Sequence, residues 1–267
     1  MKKIELEELK KLQLDILIEV DEYCQQYGYR YSLAYGTLIG AIRHKGYIPW
    51  DDDIDIIMPR ADYERFVKEF KSLSGDLAVI SPYSNGKFYA PYANVVNTKT
   101  VLYEDVYHGL EIGVKIDVFP VDNVPDTKDG QVELFRGVKK ITRRINIMAS
   151  HGKGITDSIK ARIFYLVTKI FFPFRSYSRI LNEYAKSSNA KYVASNYVNN
   201  IVWCAAKEKG CFKKEDLNSY IDMEFEGHKF KALAGYDDFL STHYGNYMEL
   251  PPIEKRVTHH KFEAYWK

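Results

Sequence analysis

With 267 residues, 46% of them hydrophobic, the chain can bury the core of one domain with an insertion or of two small domains. A formal charge of +2 gives no global electrostatic argument for nucleic acid, and no nucleic-acid partner is expected. Cys24, Cys204 and Cys211 are too few and odd in number for a disulfide framework, so a reducing compartment is expected; Met1 leads straight into Lys2 and Lys3 with no signal-type apolar stretch, which points to the cytoplasm.

Residues 5–26 recur as apolar at three- and four-residue steps and predict an amphipathic helix that Gly28 can cap. An aromatic and apolar run over 31–35 then stops at Gly36-Thr37, before a helical pattern over 38–43. A strand that breaks at glycine and turns straight into a helix aims backbone N–H groups and the helix dipole at one point, which suits a phosphate; the same residues also serve as an ordinary cap.

The run DDDIDIIM at 51–58 places four aspartates within five residues. Residues 53–58 predict a short buried strand, with Asp53 and Asp55 on one face and Ile54 and Ile56 on the other. Two residues of strand separate the carboxylates by about 6.5 Å along the backbone, within reach of one hard cation. A solvated acidic turn accounts for Asp51 and Asp52, but not for Asp55 between isoleucines. Further on, 60–71 predicts a helix with Tyr63, Phe66, Val67 and Phe70 on one face, and strands are predicted over 77–80, 88–96 and 112–119. The last of these holds Asp117 between Ile116 and Val118. Should it lie beside the first strand, about 4.8 Å away, Asp117 completes the cluster; the alternative is an ion pair with a lysine or arginine.

From 131 the composition changes. Residues 139–179 carry ten cations against one acid, Asp157, a net +9 that leaves −7 for the rest of the chain. Within them, 163–174 is an aromatic and apolar run interrupted by Lys169, too short to cross a membrane. It lies either in a membrane interface or as a buried helix with a basic outer face. Beyond 189, a hairpin is predicted over 225–232 around Glu226-Gly227 and a helix over 237–244. Cys204, Cys211, His228 and His243 lack the spacing of a zinc site, and His259 and His260 read as surface residues. The expected fold is α/β (α+β): a small mixed β-sheet flanked by helices, with a catalytic core over 1–130, a basic helical insertion over 131–188, and 189–267 completing the core.

Three stretches, GTLIGAIRHKGYIPWDDDIDI at 36–56, IDVFP at 116–120 and YGNYMELPP at 244–252, resemble the LicD family of phosphocholine transferases, relatives of the fukutin-type phosphotransferases. The resemblance implies a nucleotidyltransferase-like fold and a divalent metal, Mg²⁺ or Mn²⁺, held by aspartates. It also implies transfer of a phosphorylated group from a CDP-activated donor to a sugar hydroxyl. Carried over by position, the family's D-x-D falls on Asp53 and Asp55, and its later acidic residue on Asp117, which serves as metal ligand or general base. Gly36 and Thr37 are expected at the donor phosphate, with Arg43, His44 and Lys45 as candidates to offset the remaining charge. The expected donor is CDP-choline and the expected acceptor a lipid-linked glycan of teichoic-acid or other type, with peripheral contact to the inner face of an anionic membrane. Transfer of ribitol or glycerol phosphate, nucleotidyl transfer from a nucleoside triphosphate, and a non-catalytic nucleotide-binding module are the alternatives.

Overall fold

The computed structural model describes residues 1–267 except 85–87, 89, 105–111, 151–158, 173–175, 204 and 259–261. Expectations that involve Tyr89, Lys153, Asp157, Phe174, Arg175, Cys204, His259 and His260 fall outside the described residues.

After a short strand, β1 (Lys2–Ile4), helix α1 (Leu6–Tyr27) buries Leu9, Leu12, Ile16, Leu17, Val20 and Cys24 along one face. Gly28 ends it at φ 70, returning its N–H to the Cys24 carbonyl. Then come β2 (Ser32–Leu33), α2 (Tyr35–His44), β3 (Asp55–Pro59) and α3 (Arg60–Glu69). Two of these differ from expectation. Helix α2 takes Gly36 and Thr37 into its own first turn, and β3 begins at Asp55, so Asp53 precedes the strand.

Strands β4 (Leu77–Ile80), β5 (Ala93–Asn97), β6 (Thr100–Glu104) and β7 (Lys115–Val124) follow, then helices α4 (Lys128–Ala149), α5 (Ile159–Phe171) and α6 (Tyr177–Lys191). The chain closes with β8 (Tyr197–Asn199), β9 (Phe212–Lys213), β10 (Tyr220–Phe225), β11 (His228–Leu233), α7 (Tyr236–Tyr244) and β12 (Phe262–Trp266).

The main sheet has seven strands in the order β2-β3-β7-β5-β4, with β8 and β9 continuing from β7. Among the described residues only β3 and β7 are parallel neighbours in it, so the sheet is mixed, as an α+β core predicts. Ile54, Ile56, Ile57, Met58, Val118 and Phe119 are fully buried around that central pair. The pair is locked at its far end: Arg60 gives Nε and Nη2 to the two oxygens of fully buried Asp122, both at 2.6 Å. Strands β10 and β11 form the expected hairpin, with Glu226 and Gly227 both left-handed, at φ 50 and 77.

A three-stranded sheet, β1-β12-β6, joins the two ends of the chain and was not anticipated. In the helical segment, α4 packs against α6 and α5 against α4. Helix α5 turns Ala161 and Thr168 inward with Phe164 and Tyr165 partly buried, but leaves Ile163, Leu166 and Ile170 exposed. Its outer face is therefore apolar, contrary to a buried helix with a basic outer face.

Candidate active site

The parallel ladder of β3 and β7 sets Asp55 directly opposite Asp117, and the Asp117 N–H donates to the Ile54 carbonyl at 2.8 Å. On the other side of β7, Asn94 of β5 is the partner of Asp117, and its amide donates to Asp117 Oδ1 at 2.5 Å. Lys115 Nζ reaches the same oxygen at 2.6 Å. The lysine ion pair weighed as an alternative for Asp117 thus exists, on the side chain two residues upstream that shares its strand face.

Asp55 lies in the field of several carboxylates. Burial pushes its carboxyl well above the usual range, and the charges of Asp53, Asp117 and Asp51 push in the same direction, only partly opposed by Lys115. Immediately before β3, Asp51, Asp52 and Asp53 each offer a carboxylate oxygen, all within 4.8 Å of one another. Asp52 is buried, so the solvated-turn reading of Asp51 and Asp52 is corrected. The buried side chain of Gln13, from α1, fixes this loop by donating to the Asp52 carbonyl at 2.9 Å. Oxygen-only donors at this spacing suit a hard divalent cation, so Mg²⁺ or Mn²⁺ fits the residues present.

The first turn of α2 is built against these aspartates. A Cβ on Gly36 would sit 2.5 Å from Asp51 Oδ2, so only glycine lets the carboxylate approach the helix this closely. Thr37 is buried, and its hydroxyl accepts the Asp55 N–H at 2.8 Å, tying the helix to the start of β3. Tyr35 enters α2 at φ 48, a strained conformation for a bulky residue. Its hydroxyl accepts from Asn200 Nδ2 at 3.0 Å, which holds it there.

Gly36, Thr37, Asp53, Asp55 and Asp117 are thus brought together. Arg43, His44 and Lys45 lie at the other end of α2, roughly 10 Å further along its axis. Arg43 Nη1 donates to the carbonyls of Tyr247 at 2.9 Å and Glu249 at 3.3 Å, anchoring the third motif to α2. Burial and then the charge of Arg256 lower its pKa. His44 and Lys45 are exposed.

Sequence reasoning missed Asp51, Asp52, Asn94 and Lys115. Asn94 carried a legible signal, a polar residue amid Ala93, Val95 and Val96 in a buried strand. It also missed an aromatic wall. Phe119, on the same face of β7 as Asp117, packs against Tyr92 at 4.3 Å between ring centroids and Tyr35 at 5.8 Å. Tyr92 in turn meets Trp203 at 5.6 Å, and Trp203 remains 54% exposed.

Residues 28–133 match the family model described as LicD/FKTN/FKRP, nucleotidyltransferase domain. That span holds Gly36, Thr37, the aspartates of 51–55 and Asp117. The lipopolysaccharide cholinephosphotransferase LicD of Haemophilus influenzae is 31% identical over 281 residues, covering 99% of both chains. An uncharacterized protein of Rickettsia typhi is 34% identical over 77 residues, 27% of this chain and 25% of its own. With the family's nucleotidyltransferase domain lying over the carboxylate cluster and a relative matched from end to end, the chain belongs to the LicD family of phosphotransferases.

Proposed function

We propose that this enzyme transfers phosphocholine from CDP-choline to a sugar hydroxyl of a lipid-linked glycan, of teichoic-acid or another surface-polymer type, and releases CMP. The observation that carries the reading is the pairing of Asp55 with Asp117 beside the Asp51 to Asp53 triplet, all set against the first turn of α2. Mutually repelling carboxylates add nothing to packing, and they suit a cation that meets a diphosphate.

Asp51, Asp52, Asp53 and Asp55 would hold Mg²⁺ or Mn²⁺, which when bound neutralises the charge developing on the departing CMP. Thr37 fixes the backbone of Asp55, and the N–H groups of the first turn of α2 face the donor phosphates. Asn94 and Lys115 orient Asp117 through Oδ1, and Asp117 takes the proton of the acceptor hydroxyl as its oxygen bonds to the phosphocholine phosphorus. The bond from that phosphorus to the CMP oxygen then breaks. Arg43 braces the turn at Tyr247, while His44 and Lys45 offset charge at the exposed end of α2. Choline as the transferred alcohol is supported by the activity named for the Haemophilus relative and by the exposed Trp203 ring, since aromatic faces hold quaternary ammonium groups.

The test supplies CDP-choline, CDP-ethanolamine, CDP-glycerol, CDP-ribitol and nucleoside triphosphates in parallel, with a glycan acceptor and Mg²⁺ or EDTA. CMP release from CDP-choline that EDTA abolishes is expected. A preference for ribitol or glycerol would move the donor, and pyrophosphate as the product would overturn the reaction class.

A further inference from the structure

We infer that α5 is a membrane-docking helix that lies flat in the surface of an anionic phospholipid bilayer. Its two long faces have opposite fates. Ala161 and Thr168 are buried and Phe164 and Tyr165 pack against the core, which fixes one side of the helix to the protein. The opposite side presents Ile159, Ile163, Leu166, Val167, Ile170 and Phe171, with exposures from 44% at Val167 to 78% at Ile159.

At about 100° per residue these six fall within roughly 140° of the helix circumference, an apolar stripe on the side away from the packed residues that is interrupted only by Lys160 at the first turn. Isolated exposed leucines are ordinary; a whole exposed face of a helix is an interaction surface.

The charge beside the stripe identifies the occupant. Arg162 and Lys169 lie along one edge, Lys160 lies within the stripe near its other edge, and all three are exposed. Helix α4, packed against α5, adds exposed Lys139, Lys140 and Arg143. A second copy of the chain would bring these cations against their own kind, whereas an anionic bilayer attracts them while its acyl region takes up the stripe. Among the described residues no helix is long and apolar enough to cross a membrane, so the contact lies in the plane of the interface.

The experiment is co-sedimentation with phosphatidylglycerol/phosphatidylcholine vesicles and with phosphatidylcholine vesicles alone, at low and high salt. It contains neither donor nor acceptor, so its outcome is independent of the proposed reaction. Wild-type protein should bind the anionic vesicles and lose binding with salt. Leu166→Asp with Ile170→Asp should weaken the partition by about tenfold or more while preserving the melting temperature and turnover of a soluble acceptor. Lys160→Glu with Lys169→Glu should also weaken it, by about fivefold for each cation.

In case the aspartate variant fails to fold, Phe171→Trp in otherwise wild-type protein supplies a second reading, emission that brominated lipid quenches. Three results would overturn the inference: wild-type protein that ignores anionic vesicles, binding unaffected by the aspartates, or a wild-type dimer that the aspartates convert to monomer.

Discussion

The Arg60–Asp122 pair sets the register of the candidate site, and its removal is the most demanding test of the fold. Arg60 follows Asp55 by five residues and Asp122 follows Asp117 by five, so the ion pair continues the parallel ladder that sets those two aspartates opposite each other. The contact is bidentate at 2.6 Å on each arm, and Nη1 is also held by Asn182 at 2.9 Å and Glu64 at 3.1 Å. Burial alone would lower the Arg60 pKa; the charge and hydrogen bonds of Asp122 outweigh it and raise the pKa above its usual value. Asp122→Ala removes the buried, bidentate counterion and leaves the guanidinium only the partly exposed Glu64 as an anionic partner, at a cost of about 3–5 kcal/mol. Set against a total stability of about 5–15 kcal/mol, that is a large fraction. At roughly 2–4 °C per kcal/mol, the melting temperature should fall by roughly 6–20 °C. Replacing both partners, Arg60→Met with Asp122→Leu, should recover most of the loss, because no buried charge remains. Urea denaturation of wild type, both single variants and the double variant closes the cycle. A single-variant cost below about 1 kcal/mol, or a double variant as unstable as the singles summed, would refute the clamp.

Three further outcomes are expected. Asn in place of Asp51, Asp52, Asp53, Asp55 or Asp117 should lower kcat by about a hundredfold or more with the fold retained, as circular dichroism will show; near-normal turnover removes that residue from the site. In EDTA, the Asp55 carboxyl keeps a proton in the folded state that the unfolded chain has released, at pH values above about 3.9 and below its raised value. Stability should therefore fall as pH rises through that window, and Asp55→Asn should lose this component; equal pH slopes for wild type and variant, measured by thermal melts, would contradict it. Arg43→Lys keeps the charge but loses the fork that reaches two carbonyls, so it should lower the melting temperature and kcat together while leaving the donor KM unchanged. A rise in donor KM alone would instead make Arg43 a phosphate ligand.

What was legible in the sequence was local. The three- and four-residue recurrence in α1, the Glu226-Gly227 turn and the run that forms β4 each carry their periodicity within a few residues, and each lies where expected. The β1-β12-β6 sheet was not legible because it pairs Lys2 with Trp266 and Thr100 with Trp266, and no local pattern reports a partner so distant in the chain. Asp55 and Asp117 could be found because a carboxylate between β-branched apolar residues, Ile54 and Ile56 or Ile116 and Val118, is anomalous wherever it occurs. Asp52 could not, since strict alternation sends it away from Asp53, whereas residues 51–54 lie outside any strand and take their shape from Gln13 and the first turn of α2.

That dependence on α2 accounts for the length of the 36–56 motif. A metal ligand set needs only a few carboxylates, yet the recognisable run extends back through an entire helix. At its start, Gly36 admits Asp51 and Thr37 holds Asp55. Midway, Gly40 lies against the Gly46 carbonyl, where a Cβ would come within 2.4 Å, so the chain can fold back on the helix toward Trp50. At its end, Arg43 secures Tyr247 and Glu249, and the Lys45 carbonyl accepts from Glu226 of the hairpin. The helix is therefore a strut between the carboxylates and the C-terminal segment, and a displacement at either end is transmitted to the other. Most of the motif's residues specify position, and in the proposed transfer from a diphosphate to a sugar hydroxyl the few that carry charge would depend on them for their placement.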